Sequence, residues 1–205
     1  MLTFADKRAY LNDSLHLAPG PLADAIHSHA AAAERAAAGL WRRDPSVWST
    51  DPATQKKIAG RLGWMSSPQL MAESIPRLRA CADAVKREGI TDVVLLGMGG
   101  SSLAPEVIRA VIGVAPGWPR FQMLDSTDPA AVRAATTPPH RTLYILASKS
   151  GTTIEPSSLA AHFRQTLLDA GVAQWARQFI AITDQGTALA QRARAEGFRD
   201  LFINP

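Results

Sequence analysis

The stretch Val93-Val94-Leu95-Leu96-Gly97-Met98-Gly99-Gly100-Ser101-Ser102 decides how this chain reads. Its four leading apolar residues are too few for a helix and lack the alternation of a half-exposed strand, so they read as a strand buried on both faces. Glycines follow at once, and then a helix-forming segment, Ala104 to Ile112. Strand, glycine loop and helix in that order open a parallel α/β unit.

The same grammar continues downstream. Short apolar runs recur at Phe121 to Leu124, Leu143 to Ala147, Phe179 to Ile182 and Leu201 to Ile203, and helix signals fill the spacers Pro129 to Ala135, Thr153 to Ala170 and Thr187 to Ala195. Residues 90–205 are therefore expected to form an α/β domain, a doubly wound five-stranded parallel sheet whose right-handed crossovers place helices on both faces. Upstream the pattern differs. Pro21 to Leu40 is alanine-rich, and from Pro68 to Glu88 the residues Met71, Ile75, Leu78, Ala82 and Val85 recur at alternating spacings of four and three, so both stretches read as helices. Asp44-Pro45, Asp51-Pro52 and Ser67-Pro68 mark turns between them. Residues 1–89 thus read as an α-helical N-terminal extension packing on the sheet domain, with Trp41, Trp48 and Trp64 as packing anchors.

Among the 205 residues, 46% are hydrophobic and 20% charged, an ordinary balance for a soluble globular protein, and no segment reaches the roughly 18 apolar residues of a membrane span. Asp6, Lys7, Arg8 and Asp13 interrupt the start of the chain, which argues against a secretory signal and for a cytoplasmic location. The single cysteine, Cys81, leaves no internal disulfide and no cysteine cluster for zinc, and its apolar helical spacing suggests a buried structural thiol. A formal net charge of +4 favours anionic ligands. The basic residues are scattered, as in Arg42 with Arg43, Lys56 with Lys57 and Arg192 with Arg194, without the aromatic interleaving of a nucleic-acid module. Neither nucleic acid nor membrane is expected as a partner.

In doubly wound sheets ligands sit beyond the carboxyl ends of the strands, so the residues that follow each apolar run carry the chemistry. After the first run, Gly97 to Ser102 permits tight turns and close approach to a ligand, and the helix behind it presents free N–H groups to an anion. Gly99, Gly100 and Ser101 are its candidate ligand contacts, although a glycine turn capped by Ser101 or Ser102 needs no ligand. The loop matches a dinucleotide fingerprint only in part, because Ser102 stands at the sixth position; Asp125 could still serve a ribose, which keeps a nicotinamide-dinucleotide domain as a rival. A Walker-type phosphate loop does not fit. After the third run, Ser148-Lys149-Ser150-Gly151-Thr152-Thr153 crowds four hydroxyls, a glycine and a lysine into six residues. Thr152 with Glu155 reads as a capping box, which leaves Ser148, Ser150 and Thr153 unassigned. At about 1.5 to 3 kcal/mol for each hydrogen bond to a charged group, three or four such contacts could hold a phosphate monoester without a metal. Asp125 to Pro129 and Thr183 to Thr187 read chiefly as helix caps and turns.

The strings Val93 to Glu106 and Ala147 to Pro156 together resemble the glucose-6-phosphate isomerase family. More narrowly, with Leu40-Trp41, Val47-Trp48 and the run Leu124-Asp125-Ser126-Thr127-Asp128-Pro129, they resemble the isomerase half of bifunctional transaldolase/glucose-6-phosphate isomerases. The resemblance implies the first sugar isomerase (SIS) domain, flavodoxin-like, of an enzyme that interconverts glucose 6-phosphate and fructose 6-phosphate. It assigns Ser148, Ser150 and Thr153 as hydroxyl ligands of the substrate phosphate and Lys149 and Gly151 as backbone donors, with Thr152 in the same loop. Ser101 reaches the phosphate or sugar from the glycine loop, and Glu155 stands where the family has a glutamate near ring opening. No cofactor is implied; the expected ligand is a hexose 6-phosphate, and the intact parent is expected to be a homodimer. The chain ends at Asn204-Pro205, before the family's glycine-glycine-arginine segment, base glutamate, histidine and lysine. The chain alone is therefore expected to be inactive without the second SIS domain, and a transaldolase domain is a candidate neighbour. His140 and His162 match no motif. A stand-alone phosphosugar sensor is the alternative, without a clear helix-turn-helix reader in Met1 to Gly89.

Overall fold

The three central apolar runs, from Val93, Leu143 and Phe179, form strands that are mostly buried, whereas the edge runs from Phe121 and Leu201 are only half-buried. In the computed structural model, which describes residues 20–204, helices α1 (Ala23–Trp41), α2 (Pro52–Ala59), α3 (Ser67–Ala72) and α4 (Ile75–Arg87) precede strand β1 (Asp92–Gly97). Then come α5 (Leu103–Ile112), β2 (Arg120–Leu124), α6 (Pro129–Ala134), β3 (Thr142–Ala147), α7 (Ile154–Asp169), β4 (Phe179–Asp184), α8 (Ala188–Glu196) and β5 (Asp200–Asn204). All five strands pair in parallel, in the order β2-β1-β3-β4-β5. This is the doubly wound, flavodoxin-like order, and its switch point lies between β1 and β3, where successive connections leave in opposite directions. The segment Met1 to Asp13, read above for a signal, lies outside the described residues.

Alternation along the buried strands sends side chains to two layers. On one face Val94, Leu96, Leu124, Tyr144, Leu146 and Ala181 meet Leu159, Phe163 and Leu167 of α7 and Leu189 and Ala193 of α8. Tyr144 anchors this layer, its ring 4.6 Å from Phe163 and 5.2 Å from Phe179. Burial there pushes its hydroxyl up to about 12. On the other face Leu143 and Ile180 pack with Val85, Ile90 and the half-buried Cys81. Burial, followed by the nearby Asp200 charge, raises the Cys81 thiol above its ordinary range, so it stays protonated at neutral pH.

Three local expectations need correction. The single helix read over Pro68 to Glu88 is two, α3 and α4, because Pro76 has no N–H for the carbonyl of Ala72 and sits instead in the first turn of α4. The capping box of Thr152 and Glu155 does not form: the residue before α7 is Thr153, and the Thr152 hydroxyl donates to Ser150 Oγ at 3.0 Å. Trp41, Trp48 and Trp64 are not anchors, being 74%, 49% and 62% exposed.

The described residues fall into two compact units that divide between Ser66 and Ser67. The division precedes the change of pattern near residue 90, since α4 is amphipathic and gives Cys81 and Val85 to the second face of the sheet. In the first unit the Asp51 carboxylate accepts from the Thr54 N–H at 2.8 Å, with Pro52 as first residue of α2. No helix among the described residues is long and apolar enough to cross a membrane.

Candidate functional site

A cleft of about 960 Å³ opens over the carboxyl ends of β1, β3, β4 and β5. Its position follows from register: Gly97 is level with Ala147, Ala147 with Ile182, and Asp184 with Asn204, so the segments leaving these strands emerge side by side. Leu95, Ala147 and Ile182 form the apolar floor, and Met98, Gly100, Ser101, Lys149, Ser150, Thr153, Asp184 and Asn204 line the walls.

The glycine loop leaves β1 through an extended Met98 and makes one tight turn, Gly99–Ser101. Gly99 has φ +52°, a left-handed value that favours glycine. The Ser101 N–H donates to Met98 O at 3.1 Å and the Ser102 N–H to Gly99 O at 3.0 Å. Ser102 is fully buried, and its hydroxyl donates to Gly99 O at 3.0 Å. Ser102 precedes α5 without a side-chain capping bond, so this hydroxyl braces the turn, and Gly100 and Ser101 face the cleft.

The hydroxyl loop leaves β3 and is built as a cradle. Ser148 is buried and its N–H donates to Ile182 O at 3.0 Å, which continues the sheet ladder by one residue. Ser148 Oγ and Thr153 Oγ1 lie 3.0 Å apart, and the Gly151 N–H donates to Ser148 O at 3.2 Å and to its Oγ at 3.1 Å. Lys149 O accepts from the Asp184 N–H at 3.2 Å and from the Thr183 hydroxyl at 3.3 Å, tying this loop to the end of β4. Each hydroxyl pair, Ser148 with Thr153 and Ser150 with Thr152, spends one O–H proton internally and leaves a second for a ligand. Thr153 makes no capping bond, so the first-turn N–H groups of α7 have no side-chain acceptor. Spare O–H donors and uncapped N–H groups, with the exposed Lys149 among the lining residues, suit a tetrahedral oxyanion.

Of the residues picked out by the sequence, Gly100, Ser101, Lys149, Ser150 and Thr153 line the cleft. Ser148, Gly151 and Thr152 stand behind them as its frame, and Gly99 shapes the turn. Glu155 is the second residue of α7, half-buried and not among the lining residues. Asp125, which follows β2, is not among them either. The Asp128 carboxylate accepts from the N–H groups of Ala130 and Ala131 and Thr187 Oγ1 from that of Ala190, the capping roles expected of those loops. His140 lies in a short turn and His162 on α7, both away from the cleft. Asp184 and Asn204 do line it, and the sequence reading passed over them. The available signal was position alone, at the carboxyl ends of the fourth and fifth apolar runs. Among the described residues no cluster of metal-ligating side chains occurs.

Comparison with known proteins agrees with this arrangement. A glucose-6-phosphate isomerase 1 of Cupriavidus pinatubonensis is 38% identical over 124 residues, which are 52% of this chain and 23% of that protein. A glucose-6-phosphate isomerase of a Synechococcus species is 37% identical over 120 residues, 56% of this chain and 22% of its own length. The chain thus spans under a quarter of these relatives. Among solved structures, a hypothetical protein of Thermus thermophilus superposes with a TM-score of 0.67 at 28% identity, covering 89% of this chain and 40% of the other. The crystal structure of a glucose-6-phosphate isomerase from Chlamydia trachomatis gives 0.53 at 29% identity, covering 60% and 24%. Because the phosphoglucose isomerase family model matches residues 71–193, more than half of the chain and both loops of the cleft, this chain belongs to the phosphoglucose isomerase family.

Proposed function

We propose that this chain supplies the phosphate cradle and part of the sugar pocket of an aldose–ketose isomerase that interconverts glucose 6-phosphate and fructose 6-phosphate. The observation that carries the reading is the cleft at the β1/β3 switch point, where a glycine turn and a hydroxyl loop present unspent donors to one space. Ser150, Thr153 and Ser101 would donate to the phosphate directly, with Lys149 neutralising its charge; Ser148, Gly151 and Thr152 hold that geometry, and Gly99 and Gly100 let the backbone approach. Anchoring the phosphate places C1 and C2 of the sugar for proton transfer by a base. Among the described residues, the cleft walls hold no histidine or glutamate for that step, and their one carboxylate, Asp184, accepts from Asn204 Nδ2. The 205-residue chain is therefore predicted to bind without turning over. The likeness of Leu40-Trp41, Val47-Trp48 and Leu124 to Pro129 to transaldolase fusions supports a parent of that kind, which sequencing the flanking reading frame would check.

Titration calorimetry of fructose 6-phosphate against unphosphorylated fructose tests the cradle. Heat with the phosphate ester alone is expected; negligible heat with both would overturn the assignment. In a coupled isomerase assay, robust turnover by the purified chain would show that it carries its own base.

A further inference from the structure

The cleft is chemically divided. Hydroxyls and Lys149 occupy the end near β1 and β3, whereas a carboxylate, Asp184, and an amide, Asn204, occupy the end over β4 and β5. Capping does not explain Asp184, because Thr187 caps α8. A carboxylate beside a phosphate site is unfavourable toward the phosphate itself, since like charges repel. What a carboxylate does well is accept O–H donors: it has about four lone-pair sites, and Asn204 Nδ2, donating to Asp184 Oδ1 at 2.9 Å, occupies one of them. That contact comes from the sheet register, where Asp184 and Asn204 are cross-strand partners. The Asp184 N–H donates to Lys149 O, so the backbone that carries the carboxylate is tied to the hydroxyl loop. With strands about 4.8 Å apart, the ends of β4 and β5 lie roughly 5 and 10 Å from that of β3, the span a six-carbon sugar covers beyond its phosphate.

We infer that Asp184, oriented by Asn204, recognises sugar hydroxyl groups in this cleft and sets its preference for polyhydroxylated phosphate esters over phosphate alone. The inference rests on the phosphosugar reading of the same cleft, with Asp184 as a specificity-determining residue that touches the ligand and Asn204 as a positioning residue.

The test is calorimetric titration of the full chain, as wild type, Asp184→Ala, Asp184→Asn and Asn204→Ala, with fructose 6-phosphate and separately with inorganic phosphate. The wild type should bind the sugar phosphate more tightly than phosphate. Asp184→Ala should weaken fructose 6-phosphate about 10- to 100-fold, as befits hydrogen bonds to a charged acceptor, and leave phosphate unchanged or tighter. Asp184→Asn, which keeps the shape and one acceptor oxygen, should fall between, and Asn204→Ala should weaken only the sugar ester and by less. Unchanged fructose 6-phosphate affinity in both Asp184 variants, or equal loss of both ligands, overturns the inference and leaves the cradle standing. Equal wild-type affinity for the two ligands does the same. A wild type that binds neither removes the phosphosugar reading, and this inference with it.

Discussion

Gly151 shows how little freedom the hydroxyl loop has. Its φ is +69°, and a Cβ added there would lie 2.8 Å from Thr187 Cβ and 3.0 Å from the Leu189 nitrogen, part of the backbone of α8. Gly151→Ala must shift one wall of the loop or the other, and should cost about 1 to 3 kcal/mol by urea denaturation while weakening phosphosugar binding. Ser150 and Thr153 each line the cleft while keeping one internal hydroxyl partner, Thr152 and Ser148. Their joint replacement by alanine removes the two proposed phosphate donors together with their contacts to Thr152 and Ser148, and should weaken fructose 6-phosphate by at least about 10-fold in calorimetry. Unchanged affinity would take both residues out of the site.

The more apolar of two helices is the less covered. On α7, Phe163 and Leu167 are buried against the sheet, with Phe163 stacked on Tyr144. On α5, the apolar residues Leu103, Val107, Ile108, Val111 and Ile112 have no buried member, and Ile112 is 78% exposed. Phe163→Ala should therefore cost about 3 to 5 kcal/mol, whereas Ile112→Ser should stay within about 0.5 kcal/mol, both read from chemical denaturation. A second element-level contact joins the end of α4 to the residue before β5. The Arg199 guanidinium donates to both Glu88 carboxylate oxygens, at 2.8 and 2.6 Å, and those bonds hold the Glu88 carboxyl below its ordinary range. With the folded value depressed, the stabilisation is present above the unfolded carboxyl range near about pH 4.3 and is lost as pH falls through the folded value. Glu88 is half exposed, so the effect is below about 1 kcal/mol. The stability difference between wild type and Glu88→Gln should be measurable at about pH 6 to 7 and close as the pH is lowered through about 4 toward 3.

At the scale of the molecule, the sheet, its two layers and the cleft all belong to the unit that begins at Ser67. A chain of residues 67–205 should keep the circular dichroism of the α/β fold and bind fructose 6-phosphate within about 3-fold of the full chain, a tolerance of under about 1 kcal/mol. An unfolded product would show that the sheet depends on the first unit. The central strands were legible in the sequence because a buried parallel strand is continuously apolar, the half-buried edge strands β2 and β5 because they keep the strand-helix alternation, and the two loops because a loop at a strand's carboxyl end follows it directly in the chain. Helix boundaries were less legible: Pro76 divides a stretch of unbroken apolar spacing, and the hydroxyl loop runs one residue past Thr152 before α7 starts. The exposed tryptophans misled because an indole looks the same in sequence whether or not its neighbours leave a hollow for it. Only the tertiary structure decided which hydroxyls frame the cleft and which face it, and only the register of β4 on β5 brought Asp184 to Asn204. Local composition sets strand, turn and helix through contacts between near neighbours, whereas a contact across twenty residues exists only once the whole sheet has aligned its strand ends.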